Sequence, residues 1–189
     1  MVLINRLFSL FHGDKRKEQE SKIILSIKRI AEHEAAHGVV WCLFRKNWIV
    51  NKLTIERDNL PDKDLHGALH ITSNFNEENE SNIERANELS AIALAGLVGQ
   101  NMSLIKQNDY LIFEMTQVID YSKLLDTTGC GGDFEFVRRF SSRLGQIFGV
   151  NEWSFVKYKV MDLITLFQND DKVQYIHENL TKLLLEKKT

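Results

Sequence analysis

The chain has 189 residues, of which 43% are hydrophobic and 26% are charged, with one proline and ten glycines. A chain of this size can bury one full core, and the composition excludes a linker-rich or disordered protein. The formal net charge of −2 offers no basic field, so we expect no nucleic-acid partner and regard a generic enzyme as the better fit.

The two cysteines, Cys42 and Cys130, are too few for a disulfide framework. Cys42 falls on the apolar side of a predicted helix, where we expect a buried thiol. Free thiols indicate a reducing compartment, and we therefore predict a cytoplasmic location.

Residues 1–20 form an N-terminal segment that is amphipathic at first and basic at its end. The apolar run from Met1 to Phe11 has about 11 residues, too few for a bilayer core of about 30 Å, so we predict no transmembrane segment. The run also lacks the features of a secretory signal. We expect it to pack on the domain, with peripheral membrane contact through residues 1–17 as the alternative.

The next stretch predicts one long helix from about Ser21, a suitable N-cap, to Phe44. It contains His33-Glu34-Ala35-Ala36-His37, an H-E-x-x-H pattern. Histidines four residues apart project from the same side of a helix and can converge on one metal ion. Glu34 lies about 100° around the helix, where it can reach a water in the open position of the metal. The pattern is the signature of a zinc metallopeptidase. The alternative is chance, with solvated or core histidines.

Two strands are predicted next, Ile49 to Glu56 and Gly67 to Thr72, joined by a loop over 58–64. They would form a small sheet. His66 and His70 lie in the second strand and would be about 13 Å apart in an extended chain, so they cannot share one ion. We expect them on the surface or in a substrate groove.

Helices are predicted for most of the remaining chain. A helix begins near Ser81, and the small residues of its second half, Ser90 to Gly99, predict close packing behind the motif helix. Met102 to Leu125 also has a helical pattern. A glycine-dense turn, Thr127 to Asp133, leads into a helix to about Phe148, and Asn151 to Lys187 predicts one or two more amphipathic helices.

A catalytic zinc site usually has three protein ligands and one open position. The sequence offers Glu88, Cys130 and Asp133 for the third, and spacing alone does not choose among them. Asp133 also suits an N-cap, which would need no metal.

Several segments, taken together and in order, resemble the peptidase domain of FtsH-type ATP-dependent zinc metalloproteases. His33 to Val40 is similar to the family's H-E-A-G-H-A-h-h segment, in which h is apolar. The later segments resemble, in turn, its V-x-K-V-T-I strand (Val50 to Ile55), its L-G-x-T strand (Gly67 to Leu69), its A-G-R-x-A-E-E helix (Ala95 to Val98) and its T-G-A-x-x-D turn (Thr128 to Asp133).

The resemblance implies a mainly α fold over residues 21–189, a helical zinc-metallopeptidase domain with a small β-sheet beside the active-site helix. It makes Asp133 the third ligand with His33 and His37, ahead of Glu88 and Cys130. Zn²⁺ would be the cofactor, Glu34 the general base, and a peptide or unfolded protein the substrate.

The chain also departs from the family. It has no G-x-x-x-x-G-K-[ST] motif and too few residues ahead of the helix for an ATPase, so we expect that this chain does not unfold and thread substrate itself. The candidate partners are a separate ATPase that supplies substrate and further copies of the chain in a homo-oligomer. Ala36 replaces the family's glycine, while Gly99 and Gln100 replace A-E and remove an acidic group. Residues 103–126 form a longer connection. The alternative function is a non-proteolytic binding or regulatory module that retains the fold.

Overall fold

A computed structural model of the chain describes residues 27–46, 48–57, 65–73, 82–102 and 131–187. This part is mainly helical, as predicted. Its elements are α1 (27–43), β1 (Trp48–Arg57), β2 (Leu65–Ser73), α2 (Ile83–Gly99), α3 (Gly131–Ile147), α4 (Glu152–Asn169) and α5 (Asp171–Glu186). The predictions for the N-terminal segment, the Ser21 cap and most of Met102 to Leu125 lie outside the described residues.

The sheet has two antiparallel strands, with a register that runs from Trp48 opposite Ser73 to Arg57 opposite Leu65. An irregularity between Val50 and Lys52 shifts the pairing by one residue. Both strands lie where the alternation of β-branched residues predicts them, each slightly longer than expected.

Helix α2 is the central element of the described core. Every residue from Glu88 to Gly99 is buried, because the stretch after Glu88 is apolar or small on all sides. Helices α1, α3 and α4 pack around it through a shared cluster that includes Val39, Val40, Leu94, Leu97, Val137, Leu144, Val160 and Ile164.

The sheet is held against α1 and α5 by a second, smaller cluster. Ala31, Ala35 and Leu184 are buried there, with Leu53 and Ile55 of β1 packed against them. The Trp41 indole Nε1 also donates to the Trp48 carbonyl at 2.9 Å, which ties the end of α1 to the start of β1. The sheet therefore lies directly beside the motif helix.

Three side chains cap the later helices at their N-termini. Asn82 accepts from Glu84 N at 3.0 Å, Asn151 from Ser154 N at 2.8 Å, and Asp170 from Lys172 N at 2.9 Å. Between α3 and α4 the chain turns at Gly149, whose φ of 70° favours glycine. Among the described helices, none is both long enough and apolar enough to cross a membrane.

The small residues of α2 bring its backbone against α1, as the sequence predicts. A Cβ placed on Gly99 would lie 2.7 Å from the Glu32 carbonyl oxygen and in severe overlap with Ala36 Cβ. Gly99 therefore allows the two helices to approach more closely than any larger residue would.

We predict that Gly99→Ala lowers the free energy of unfolding by about 1–3 kcal/mol, the usual cost of overpacking a core. Chemical or thermal unfolding followed by circular dichroism measures this. Removing the opposing methyl group with Ala36→Gly should restore part of the loss in the double variant.

Gly38→Ala in α1 is the matched control for this prediction. The nearest atoms to its added Cβ would be the side-chain ends of Leu53, at 3.1 Å, and Leu180, at 3.3 Å, which can shift. We expect a change within about 1 kcal/mol, since alanine also favours the helix. Equal losses for both variants would contradict the close approach at Gly99.

Candidate metal centre

Helix α1 presents both histidines of the motif to one buried space. His33 and His37 are both buried, and their rings meet edge to face with centroids 4.6 Å apart. The two Nε2 atoms are 2.9 Å apart. The spacing of four residues thus brings two ring nitrogens together, as the sequence predicts.

The orientation of His37 is fixed from α2. His37 Nδ1 lies 2.7 Å from the Ile92 carbonyl oxygen, which can only accept, so Nδ1–H donates. In the neutral ring this leaves a lone pair on Nε2. A histidine held by its other nitrogen in this way is typical of a metal ligand.

Asp133 reaches both rings from the first turn of α3. Its Oδ2 is 3.0 Å from His33 Nε2 and 3.3 Å from His37 Nε2. The alternative role as an N-cap does not fit, because α3 begins at Gly131, two residues earlier. The structure thus brings together the two histidines and the aspartate that the family resemblance favours.

The charge of Asp133 is set by these neighbours. Burial opposes ionisation, but when the imidazoles are protonated the positive charge of His37 and the hydrogen bonds from both rings outweigh it, so the pKa of the Asp133 carboxyl lies well below its usual range. The carboxylate therefore stays ionised at neutral pH and can balance a cation.

The donor set fits a zinc ion. Two imidazole nitrogens and one carboxylate oxygen lie 2.9, 3.0 and 3.3 Å apart. Ligand atoms of tetrahedral zinc, with bonds of about 2.0–2.1 Å, are separated by about 3.3 Å. A single proton can be shared by only two of these atoms at a time, whereas all three can coordinate one cation.

Glu34 lies beside this group. It is buried, and its Oε1 is 4.0 Å from His33 Nε2. Potential ligand atoms of His33, Glu34 and His37 all fall within 4.8 Å of one another. The Glu34 carboxylate therefore borders the same space as the histidines, at the distance expected of a base that acts on a nearby water.

Glu88 is the alternative third ligand that lies within the described residues, and its carboxylate has other partners. Glu88 Oε2 accepts from Trp48 Nε1 at 2.8 Å and from Arg85 at 2.9 Å, so it joins α2 to the sheet. Cys130 and the side chains of His66 and His70 lie outside the described residues. Gln100, which stands where the family has an acid, is buried.

Sequence reasoning missed two contributions of α2, the Ile92 carbonyl and Gly96. A Cβ on Gly96 would lie 2.5 Å from His33 Nε2 and 2.6 Å from His37 Nε2. The run of small residues indicated close packing, but nothing in the sequence shows which glycine faces the histidines. A backbone carbonyl leaves no sequence signal at all.

Comparisons with protein-family models, with curated proteins and with solved structures found no match to this chain. The likeness to FtsH-type peptidase domains thus rests on the ordered motifs in the sequence, and it stays a prediction.

Paired substitutions test which carboxylate is the third ligand. We predict that Asp133→Asn weakens zinc binding by more than about 100-fold, because a neutral amide replaces the anionic donor. Glu88→Gln should keep zinc affinity and instead lower stability by about 1–3 kcal/mol, through its contacts to Trp48 and Arg85. Zinc titration against a chelator, together with unfolding curves, measures both quantities. The reverse pattern would assign the ligand to Glu88.

Proposed function

We propose that this protein is a zinc-dependent metallopeptidase that hydrolyses peptide bonds, built as an FtsH-type peptidase domain. The observation that carries the proposal is the convergence of Asp133 Oδ2 with the Nε2 atoms of His33 and His37, within 3.0 and 3.3 Å. Three donors from two distant segments form the ligand set of a catalytic zinc site.

The packing of α1 on α2 supports the family resemblance. The family has glycine at the position of Ala36 and alanine at that of Gly99. The two positions face each other here, and the space between them does not hold two methyl groups. The two departures thus compensate each other, because the methyl group is carried by the other helix.

Each residue of the centre has a separate role in the proposed reaction. His33, His37 and Asp133 would hold Zn²⁺. When bound, the ion would supply Lewis-acid polarisation of the scissile carbonyl and acidify a water. The Ile92 carbonyl keeps His37 in the tautomer that this requires.

Glu34 is the proposed general base. Its carboxylate would take a proton from the attacking water and deliver it to the leaving amine, so that one group serves both halves of the hydrolysis. Two histidines and a carboxylate also bind Fe²⁺ in oxygenases. The buried Glu34 carboxylate, 4.0 Å from His33 Nε2, favours hydrolysis over an oxygenase reaction, because hydrolysis needs such a base.

Substrate would approach beside Asp133. The Asp133 side chain is 31% exposed, compared with 11% for His33 and 5% for His37. The sheet offers a place for an extended peptide, because β1 packs on α1 near Gly38, whose added Cβ would meet Leu53 at 3.1 Å. Main-chain pairing along a strand edge binds peptides with little sequence selectivity, which suits an unfolded protein substrate.

Location and partners complete the proposal. Burial raises the pKa of the half-buried Cys42 thiol, although Arg45 opposes this, so the thiol stays protonated. We propose a cytoplasmic protein that receives substrate from a separate ATPase or assembles into a homo-oligomer.

We predict that Glu34→Gln reduces peptide hydrolysis by about 10²–10⁴-fold while zinc stays bound, because the amide cannot accept the proton. A casein or fluorogenic-peptide assay with parallel metal analysis measures this. Glu32→Gln is the matched control on the same helix. The Glu32 carboxylate lies 3.5 Å from Lys28 Nζ, and this variant should keep its activity.

Wild-type activity in Glu34→Gln would refute the role of Glu34.

The second candidate function is a non-proteolytic binding or regulatory module, favoured by the buried Gln100 at a position where the family has an acid. Purified protein that lacks stoichiometric zinc, and does not regain it on dialysis, would favour that module over the peptidase.

A further inference from the structure

We infer that Gly96 is a positioning residue of the metal centre, and that its lack of a side chain provides the space a cation needs between His33 and His37. The inference deepens the proposed function and rests on it for the identity of the cation. The overlap of a Cβ at Gly96 with the two imidazoles involves only residues of this chain and does not depend on the proposed function.

The first observation is the closeness of Gly96 to both donor atoms. A Cβ at this position would lie 2.5 Å from His33 Nε2 and 2.6 Å from His37 Nε2, distances that real Cβ atoms essentially never show. The atoms in the way are the metal-binding ends of the two rings. A methyl group would therefore occupy the space beside both nitrogens.

The second observation is that His37 cannot easily move away from α2. His37 is held to α2 by the 2.7 Å contact between Nδ1 and the Ile92 carbonyl. Ile92 lies four residues before Gly96, on the same face of the helix. Because every residue of α2 from Glu88 to Gly99 is buried, this part of the helix cannot withdraw without opening the core.

The third observation is the direction of access. Asp133 is the most exposed of the three predicted ligands, and the α2 backbone at Gly96 lies against the ring nitrogens, which are buried. We conclude that α2 closes one side of the centre while water and substrate enter beside Asp133. The α2 backbone at Gly96 thus forms one side of the site.

The first experiment compares zinc binding in Gly96→Ala and Gly145→Ala. A Cβ on Gly145 would lie 2.8 Å from the Val150 carbonyl oxygen, so this control is also overpacked, about 18 Å along α3 from Asp133. Competition with a chelator should show zinc binding weakened by more than about 100-fold in Gly96→Ala and unchanged in Gly145→Ala. The visible spectrum of bound Co²⁺ should change only in Gly96→Ala.

The second experiment measures the same overlap without any metal. In the presence of EDTA, Gly96→Ala should lower the midpoint of thermal unfolding. In the background His33→Ala/His37→Ala both rings are absent, so the substitution should cost little or raise the midpoint. If Gly96→Ala does not fold alone, recovery of folding in this background gives the same answer.

The outcomes separate the inference from the proposed function. Wild-type protein that binds no zinc would overturn the function, while the comparison in EDTA would still test the space at Gly96. Wild-type zinc affinity and an unchanged Co²⁺ spectrum in Gly96→Ala would overturn the inference. An equal loss of stability with and without the two histidines would also overturn it.

Discussion

The close approach of two helix backbones is the constraint on which the rest of the structure depends. Helices normally pack about 8–10 Å apart, with side chains between them. Here Gly96 and Gly99 of α2 remove those side chains opposite α1, so that the imidazoles and Ala36 lie against bare backbone. The buried space for three donor atoms exists because no β-carbon fills it.

Helix α2 combines this role with the burial of several polar groups. Ser90 Oγ donates to the Ala86 carbonyl, and Glu88 is bound by Trp48 and Arg85, so these groups are compensated inside the core. Because Gly96 and Gly99 have no side chains, α2 buries less apolar surface against α1 at these positions. The close backbone contacts there define one arrangement of α1 against α2.

Support for α1 also comes from the end of the chain. His177 of α5 donates from Nε2 to the Glu32 carbonyl at 2.8 Å, one residue before His33, and its ring packs edge-on against Phe167. Helix α1 is therefore held by α2 on one segment and by α5 on another. The donor atoms are thus preorganised by rigid helices, which is what both metal binding and a positioned base require.

The sequence by itself determined the mainly helical class, both strands, the paired histidines and the shortlist that contained Asp133, because these follow from periodicity and local spacing. Choosing among Glu88, Cys130 and Asp133 needed a family resemblance, since contacts between residues 100 positions apart leave no local pattern. Only the tertiary structure decided that Glu88 serves the sheet, that the Ile92 carbonyl orients His37, and that Gly96 faces the ring nitrogens. Those facts depend on how helices pack in three dimensions, and a carbonyl or a missing side chain has the same local signature wherever it lies.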